Sequence, residues 1–351
     1  MNLTKKPTLL TRKTTFAIVL LRAITVSLCL TCNCLAVPLS DESIENQLRV
    51  SEKLQEQIAQ IEAIFEDTGE LNTYEEEFKK ALTERKASPL TEKLLFERIG
   101  DTPYVFVADV HTSRETQTLI IEVMRQMSGA SPVTVVLEFI DRQFQHEVDD
   151  YLAGNIDLET LRVSICYEQY WNFSWDSYCR ILEEARNLSF FVLLTENLEE
   201  ENDLYVRDVM VSSAIGAHRN ANPGMHYLVP YGTYHLLGNN HLTERLTQQG
   251  LAPQLIVVDE ADIHYWNTLK VVKDPELIKA MDLGDNLYYI QRDSPIERLK
   301  AYRAYLMTVT GWMEEDFTEP LDSIMAQLKE RRSIFGRIHD FPPAISPSAC
   351  K

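Results

Sequence analysis

After Thr102 the chain falls into short apolar runs separated by longer amphipathic stretches, and this alternation restricts its possible folds more than any other feature. The runs cover residues 104–107, 133–137, 190–194, 227–229 and 255–258. Each has strand length, is rich in branched or aromatic side chains, and is apolar at successive rather than alternate positions. Such runs predict strands buried on both faces. The stretches 114–127, 143–152, 175–187, 204–219 and 241–249 carry the apolar spacing of helices. Together they specify an α/β fold, with a parallel or mixed central sheet covered by helices on both faces. A further run at 287–290 is expected as an edge strand, with the amphipathic stretch 295–313 over it.

Ahead of this body, Leu48, Val50, Leu54, Ile58, Ile61, Ile64 and Phe65 recur at helical spacing, and Ser40-Asp41-Glu42 supplies a cap and early acids for the helix start. Gly69 breaks the pattern, and a second helical stretch covers 74–96. The pair is expected as an N-terminal helical extension packed on the body, with self-association into a homodimer as its alternative role. The division that results is a targeting segment at 1–36, a helical hairpin at 37–100, the α/β domain at 101–313, and a C-terminal helix and tail at 314–351.

The first 36 residues read as an export signal. A basic region ends at Lys13, residues 16–30 are apolar apart from Arg22, and Cys34-Leu35-Ala36 offers small residues ahead of a cleavage point before Val37. Export to a periplasm or cell envelope is the expectation. Cys29, Cys32 and Cys34 raise a lipid anchor as the alternative, although Leu28, Thr31 and Asn33 before them fit a lipobox poorly. Membrane association is expected only if the N-terminus stays uncleaved or lipidated. Losing these residues removes five basic side chains and no acid, so the formal charge moves from −19 to −24. A surface that acidic repels nucleic acid and excludes it as a partner. Cleavage after Ala36 leaves Cys166, Cys179 and Cys350. One disulfide, Cys166 to Cys179, could form, but no framework could staple the fold.

The polar residues fall at one end of the predicted strands. Asp109 and His111 follow the first run, Glu138 closes the second, and Thr195, Glu196 and Asn197 follow the third. Gly232, Tyr234 and His235 follow the fourth, and Asp259, Glu260 and Asp262 the fifth. Open α/β sheets bind ligands beyond the carboxyl ends of their strands, so a shared site at that rim is expected. Two histidines with one or two carboxylates could hold a divalent transition metal and lower the pKa of a bound water, permitting hydrolysis. Taken singly, each residue has an ordinary reading: a carboxylate after a strand caps a helix, and a histidine hydrogen-bonds in place.

These same residues resemble the ChaN-like, haem-binding-uptake branch of the Tiki/TraB superfamily. Glu138 in Val-Val-Leu-Glu-Phe, followed by Gln143, Gln145 and Asp149-Asp150-Tyr151-Leu152-Ala153-Gly154, is similar to that family's second-strand glutamate and the helix after it. Trp171-Asn172-Phe173-Ser174-Trp175 with Tyr178 and Ala185-Arg186 resembles its tryptophan-rich helix entry, and Arg207-Asp208 with Met210 and Ile215 its next helix. Gly232-Thr233-Tyr234-His235, then Gly238, Leu246 and Gly250, resembles its second GxxH element. The first family motif, Gly-Glu-x-His, stands here as Ala108-Asp109-Val110-His111, and no further histidine follows in 112–117.

The resemblance implies two activities. As a haem binder, the chain would hold a small-molecule ligand non-covalently, since no CxxCH motif is present, with His111, Tyr231, Tyr234, His235 and His241 as candidate ligands. As a metal-dependent hydrolase it would use His111, Glu138 and His235 as metal ligands or bases. Asp109 would be a further acid there, and Arg207 would orient a carboxylate or stabilise negative charge. The altered first motif favours binding over catalysis. A non-catalytic envelope scaffold is the third reading.

Overall fold

Val105 and Val107 point to one side of the first strand and Phe106 and Ala108 to the other, and all four are fully buried. A strand without a solvent face needs a cover on each side, and the fold supplies both. In the computed structural model the described residues are 38–64, 69–129, 132–198 and 203–317. The segment expected to be an export signal, and the tail beyond residue 317, lie outside the described residues.

Eight strands form one sheet: β1 (Ser88–Pro89), β2 (Tyr104–Asp109), β3 (Val133–Asp141), β4 (Phe191–Glu196), β5 (His226–Gly232), β6 (Gln254–Val258), β7 (Ala280–Asp282) and β8 (Leu287–Ile290). Their order is β1-β7-β8-β6-β2-β5-β3-β4. The six from β8 to β4 are parallel, while β7 and β1 add antiparallel pairings at one edge. The sheet is therefore mixed, and helices cover both faces, as the alternating pattern indicates. On one face lie α3 (Glu92–Gly100), α4 (Arg114–Met127), α5 (Gln145–Ala153), α6 (Leu158–Ser164), α7 (Tyr167–Tyr170) and α8 (Trp175–Asn187). On the other lie α1 (Asp41–Glu62), α2 (Glu70–Thr83), α9 (Leu204–Ala221), α10 (Leu242–Gln248) and α11 (Asp262–Val272). A last helix, α12 (Pro295–Thr310), packs Leu306 against Ile58 and Ile61 of α1. Side-chain caps start the helices where the sequence offers them, with Ser40, Ser113, Asp203 and Ser294 each accepting a backbone N–H. Among the described residues no helix is long and apolar enough to cross a membrane.

The structure corrects three expectations. Residues 287–290 are not an edge strand, because Gly284, Asp285 and Asn286 turn the chain through three positive φ angles and set β7 outside β8. The stretch 74–96 is not one helix: α2 ends at Thr83, and Ser88–Pro89 forms β1 before α3 begins. Pro89, which cannot sit in a helix interior, keeps the helix from resuming across β1. Cys166 and Cys179 are both free thiols.

At the opposite edge, β4 pairs only with β3. Its outward backbone groups are met by a side chain: Gln145 Nε2 donates to Val192 O at 3.0 Å, and Gln145 Oε1 accepts from Leu194 N at 2.9 Å. Gln145→Ala leaves both groups without a protein partner, so it should lower stability by about 1–2 kcal/mol. Urea unfolding should show a lower midpoint at an unchanged slope.

Candidate functional site

The parallel register sets the site. Asp109, the last residue of β2, lies opposite Gly232, the last of β5, and Glu138 comes up on the neighbouring β3. Three donors converge on Asp109, which is only 5% exposed. The Tyr178 hydroxyl donates to Oδ2 at 2.7 Å, Gln117 Nε2 donates to Oδ1 at 2.7 Å, and His111 Nδ1 lies 3.1 Å from Oδ2. With Asp109 as acceptor, Nδ1 is the protonated nitrogen, and His111 Nε2 is left facing Glu138 Oε2 at 3.9 Å. Burial by itself would lower the His111 pKa, but Glu138 and Asp109 outweigh it and hold the imidazole above its ordinary value. The ring meets Trp171 and Phe173 at centroid distances of 4.9 Å each, and the side chain keeps 22% of its exposure.

Glu138 is buried and engaged on both oxygens. Oε1 accepts from Arg207 Nη2 at 2.9 Å and Oε2 from the Gly232 N–H at 2.6 Å. A β-carbon at residue 232 would stand 3.4 Å from both Glu138 oxygens and from His111 Nε2, so this glycine forms the floor between the two. Arg207 reaches a second acid with Nε, which donates to Glu196 Oε2 at 3.1 Å. Glu196 is buried, and its Oε1 has no partner among the described residues. Burial raises its pKa to about 7, although Arg207 pulls the other way.

The next residue on α9, Asp208, holds the second histidine: Asp208 Oδ1 accepts from His235 Nδ1 at 2.7 Å. The expected metal trio of His111, Glu138 and His235 is therefore not assembled. His111 and Glu138 approach each other, but His235 belongs to the Asp208 pair, and Glu138 already serves Arg207 and Gly232. Among the described residues no group of three His, Cys, Asp or Glu side chains is placed to hold a metal ion.

The tyrosines expected near a haem are also accounted for. Tyr231 is fully buried on the helix-covered face of β5, and Tyr234 is half-buried with burial raising its phenol pKa. His241 is buried with Nδ1 at 2.8 Å from Tyr234 O and Nε2 at 3.2 Å from Glu77 Oε2. The acids after β6 form a separate cluster that secures α12. Arg298 Nη1 donates to Asp259 O at 2.8 Å, and its Nη2 pairs with Asp262. Gln117 and Tyr74 escape sequence reasoning: Gln117 reads as an ordinary helix residue, and Tyr74 lies 134 positions from its partner Asp208.

Asp259 has no exposed surface, and burial raises its pKa to about 7 as it does for Glu196. An acid whose native pKa lies above its ordinary value (4.5 for Glu196, 3.8 for Asp259) binds its proton more tightly when folded. Stability should thus fall as pH rises from the ordinary values to about 7 and level off above that. For Glu196 alone the loss is of order 3 kcal/mol across that window. Urea unfolding at about pH 5 and about pH 8 should show a smaller difference in Glu196→Gln than in the wild type.

Residues 95–201 match a family model described as haem-binding uptake, Tiki superfamily, ChaN. Over that segment the chain is ChaN-like, as its motifs indicate. The match includes Asp109, His111, Gln117, Glu138, Tyr178 and Glu196, whereas Tyr74, Arg207, Asp208 and His235 lie outside it. No curated protein matches this chain. Solved structures similar to parts of it include the type III effector HopBA1, at 14% identity, TM-score 0.38, covering 49% of this chain and 85% of that one. Another is described as cofacial haem binding to ChaN of Campylobacter jejuni, at 10% identity, TM-score 0.36, covering 48% and 86%. A third is RRSP, a MARTX toxin effector domain from Vibrio vulnificus, at 18% identity, TM-score 0.34, covering 60% and 42%.

Proposed function

From the match of residues 95–201 to the ChaN haem-binding-uptake family, we propose that this chain binds haem, or a related planar metal-containing ligand, at the carboxyl rim of its sheet through His111. The observation that carries this reading is the state of His111. Among the candidate ligands His111, Tyr231, Tyr234, His235 and His241, it combines a ring nitrogen without a hydrogen-bond partner and a partly exposed side chain. Its other nitrogen is bonded to a carboxylate, the arrangement that fixes the tautomer and raises the basicity of metal-ligating histidines. Trp171 and Phe173 give the imidazole an apolar flank. Bound haem would supply an iron with an open coordination position, and the protein would supply the imidazole, its orientation and a partly dry surround. Export is part of this proposal and rests on the pattern of residues 1–36. Amino-terminal sequencing of the exported chain should begin at Val37.

One observation favours a second reading. A histidine oriented by Asp109, with Nε2 turned toward Glu138 and free of a hydrogen bond, is also an oriented general base, and Glu196, across Arg207 from Glu138, has its pKa raised to about 7. Hydrolysis would then proceed by proton transfer between protein groups, with His111 taking the proton from water.

Titration of the purified chain with ferric haem should give a saturable Soret shift. His111→Ala should weaken binding at least tenfold, about 1.4 kcal/mol, and Tyr231→Phe should leave it unchanged. A Soret shift indifferent to His111→Ala would overturn the ligand assignment. No Soret shift, together with His111-dependent ester or amide hydrolysis, would establish the second reading.

A further inference from the structure

Asp208 sits beside Arg207 on α9 but has no exposed surface, so its carboxylate must be met by donors inside the protein. One donor is His235 Nδ1. The other is the Tyr74 hydroxyl, which donates to Asp208 Oδ2 at 3.1 Å. Tyr74 belongs to α2, in the N-terminal extension that the sequence presents as plain packing helices. Its ring meets the edge of His235 at 5.7 Å and stacks on His241, with centroids 3.9 Å and planes 14° apart. The same helix holds the His235 loop at a second point, where Glu77 Oε2 accepts from Asn239 N at 2.9 Å and lies beside His241 Nε2. Gly238 makes room for this, since a β-carbon there would stand 2.4 Å from the His241 ring.

A helix that only packed could fill the same space with phenylalanine. The hydroxyl adds a bond to a fully buried carboxylate that is itself bonded to a rim histidine. His235 in turn lies near enough to Glu196 to act on its carboxyl electrostatically, which links the pair to the Arg207 cluster.

We propose that Tyr74 is a positioning residue of the rim: it holds the Asp208 carboxylate in the orientation that keeps the proton on His235 Nδ1, and so fixes the tautomer of a buried histidine that acts on the Glu196–Arg207 cluster. The N-terminal helix α2 thereby completes a site whose other parts lie in the α/β body. The effect on binding rests on the reading of the rim as the ligand site, whereas the link from Tyr74 to His235 is tested apart from it.

The test uses the full chain with 15N-labelled histidine, with the His235 signals assigned by His235→Gln. The wild type should show the Nδ1–H tautomer with a proton protected from exchange. Tyr74→Phe should move that proton resonance downfield, because a carboxylate that loses one donor leans harder on the other. Asp208→Asn should shift the proton to Nε2. Ferric haem binding should weaken by roughly threefold to tenfold in Tyr74→Phe, with the thermal midpoint little changed. An unmoved resonance in Tyr74→Phe, or Nδ1–H retained in Asp208→Asn, overturns the proposal. If neither variant folds, the wild-type spectrum decides, since an Nε2–H tautomer of His235 is incompatible with the relay. A wild type that takes up no haem while the resonances behave as described removes the haem reading and leaves the relay standing.

Discussion

A carboxylate that has lost its water needs donors from elsewhere in the chain, and at Glu138 this requirement ties the molecule together. Its side chain rises from β3, an interior strand buried on both faces. The donors come from the end of β5 and from α9, and His111 approaches from the end of β2. Three strand ends and a helix are thereby held in one arrangement. Arg207 extends the arrangement to β4 through Glu196, so four parallel strands present their carboxyl ends to a single guanidinium or to the groups it orders. Removing one member of such a set exposes the others to an unpaired buried charge, a heavier cost than the loss of an isolated surface pair.

The altered first motif is accommodated without distortion. Alanine at position 108 lies within the strand and at no positive φ, so the glycine usual in the family is not required for backbone reasons. The shorter acid at 109 still reaches the imidazole, because the strand end brings His111 back over it. Tyr178 and Gln117 complete its shell from two helices on the same face of the sheet. The departure from Gly-Glu-x-His therefore preserves an oriented histidine.

The strands and the rim were legible because burial on two faces leaves a continuous apolar signature, which Asp109 and His111 break at the end of β2; Glu138 interrupts it inside β3, which runs on to Asp141 rather than closing there. Directions were less legible than types. Counting histidines and carboxylates at the rim suggested a metal trio, yet Asp208 claims His235, a pairing that residue types alone do not reveal. Tyr231 could have been set aside from its parity with Tyr227 and Val229, which places all three on the face covered by α2 and α9. Tyr74 gave no signal at all. Its spacing in α2 is that of a core residue, and its hydroxyl partner is fixed only by tertiary packing. The acids after β6 were misread for a related reason: what consumes them is Arg298, on a helix that begins more than thirty residues later.

The side-chain amide of Gln145, reaching from α5 onto β4, bears on how two copies of this protein could meet. A parallel sheet with a bare outer strand is a template, and any chain that presents a complementary strand can extend it. Here a side chain stands in for the missing neighbour's peptide group at the middle of that strand. Continuation of the sheet from one molecule into another would have to dislodge Gln145 before the first intermolecular bond could form there. Extension of the sheet across β4 from one molecule to another is thus opposed at the middle of that strand.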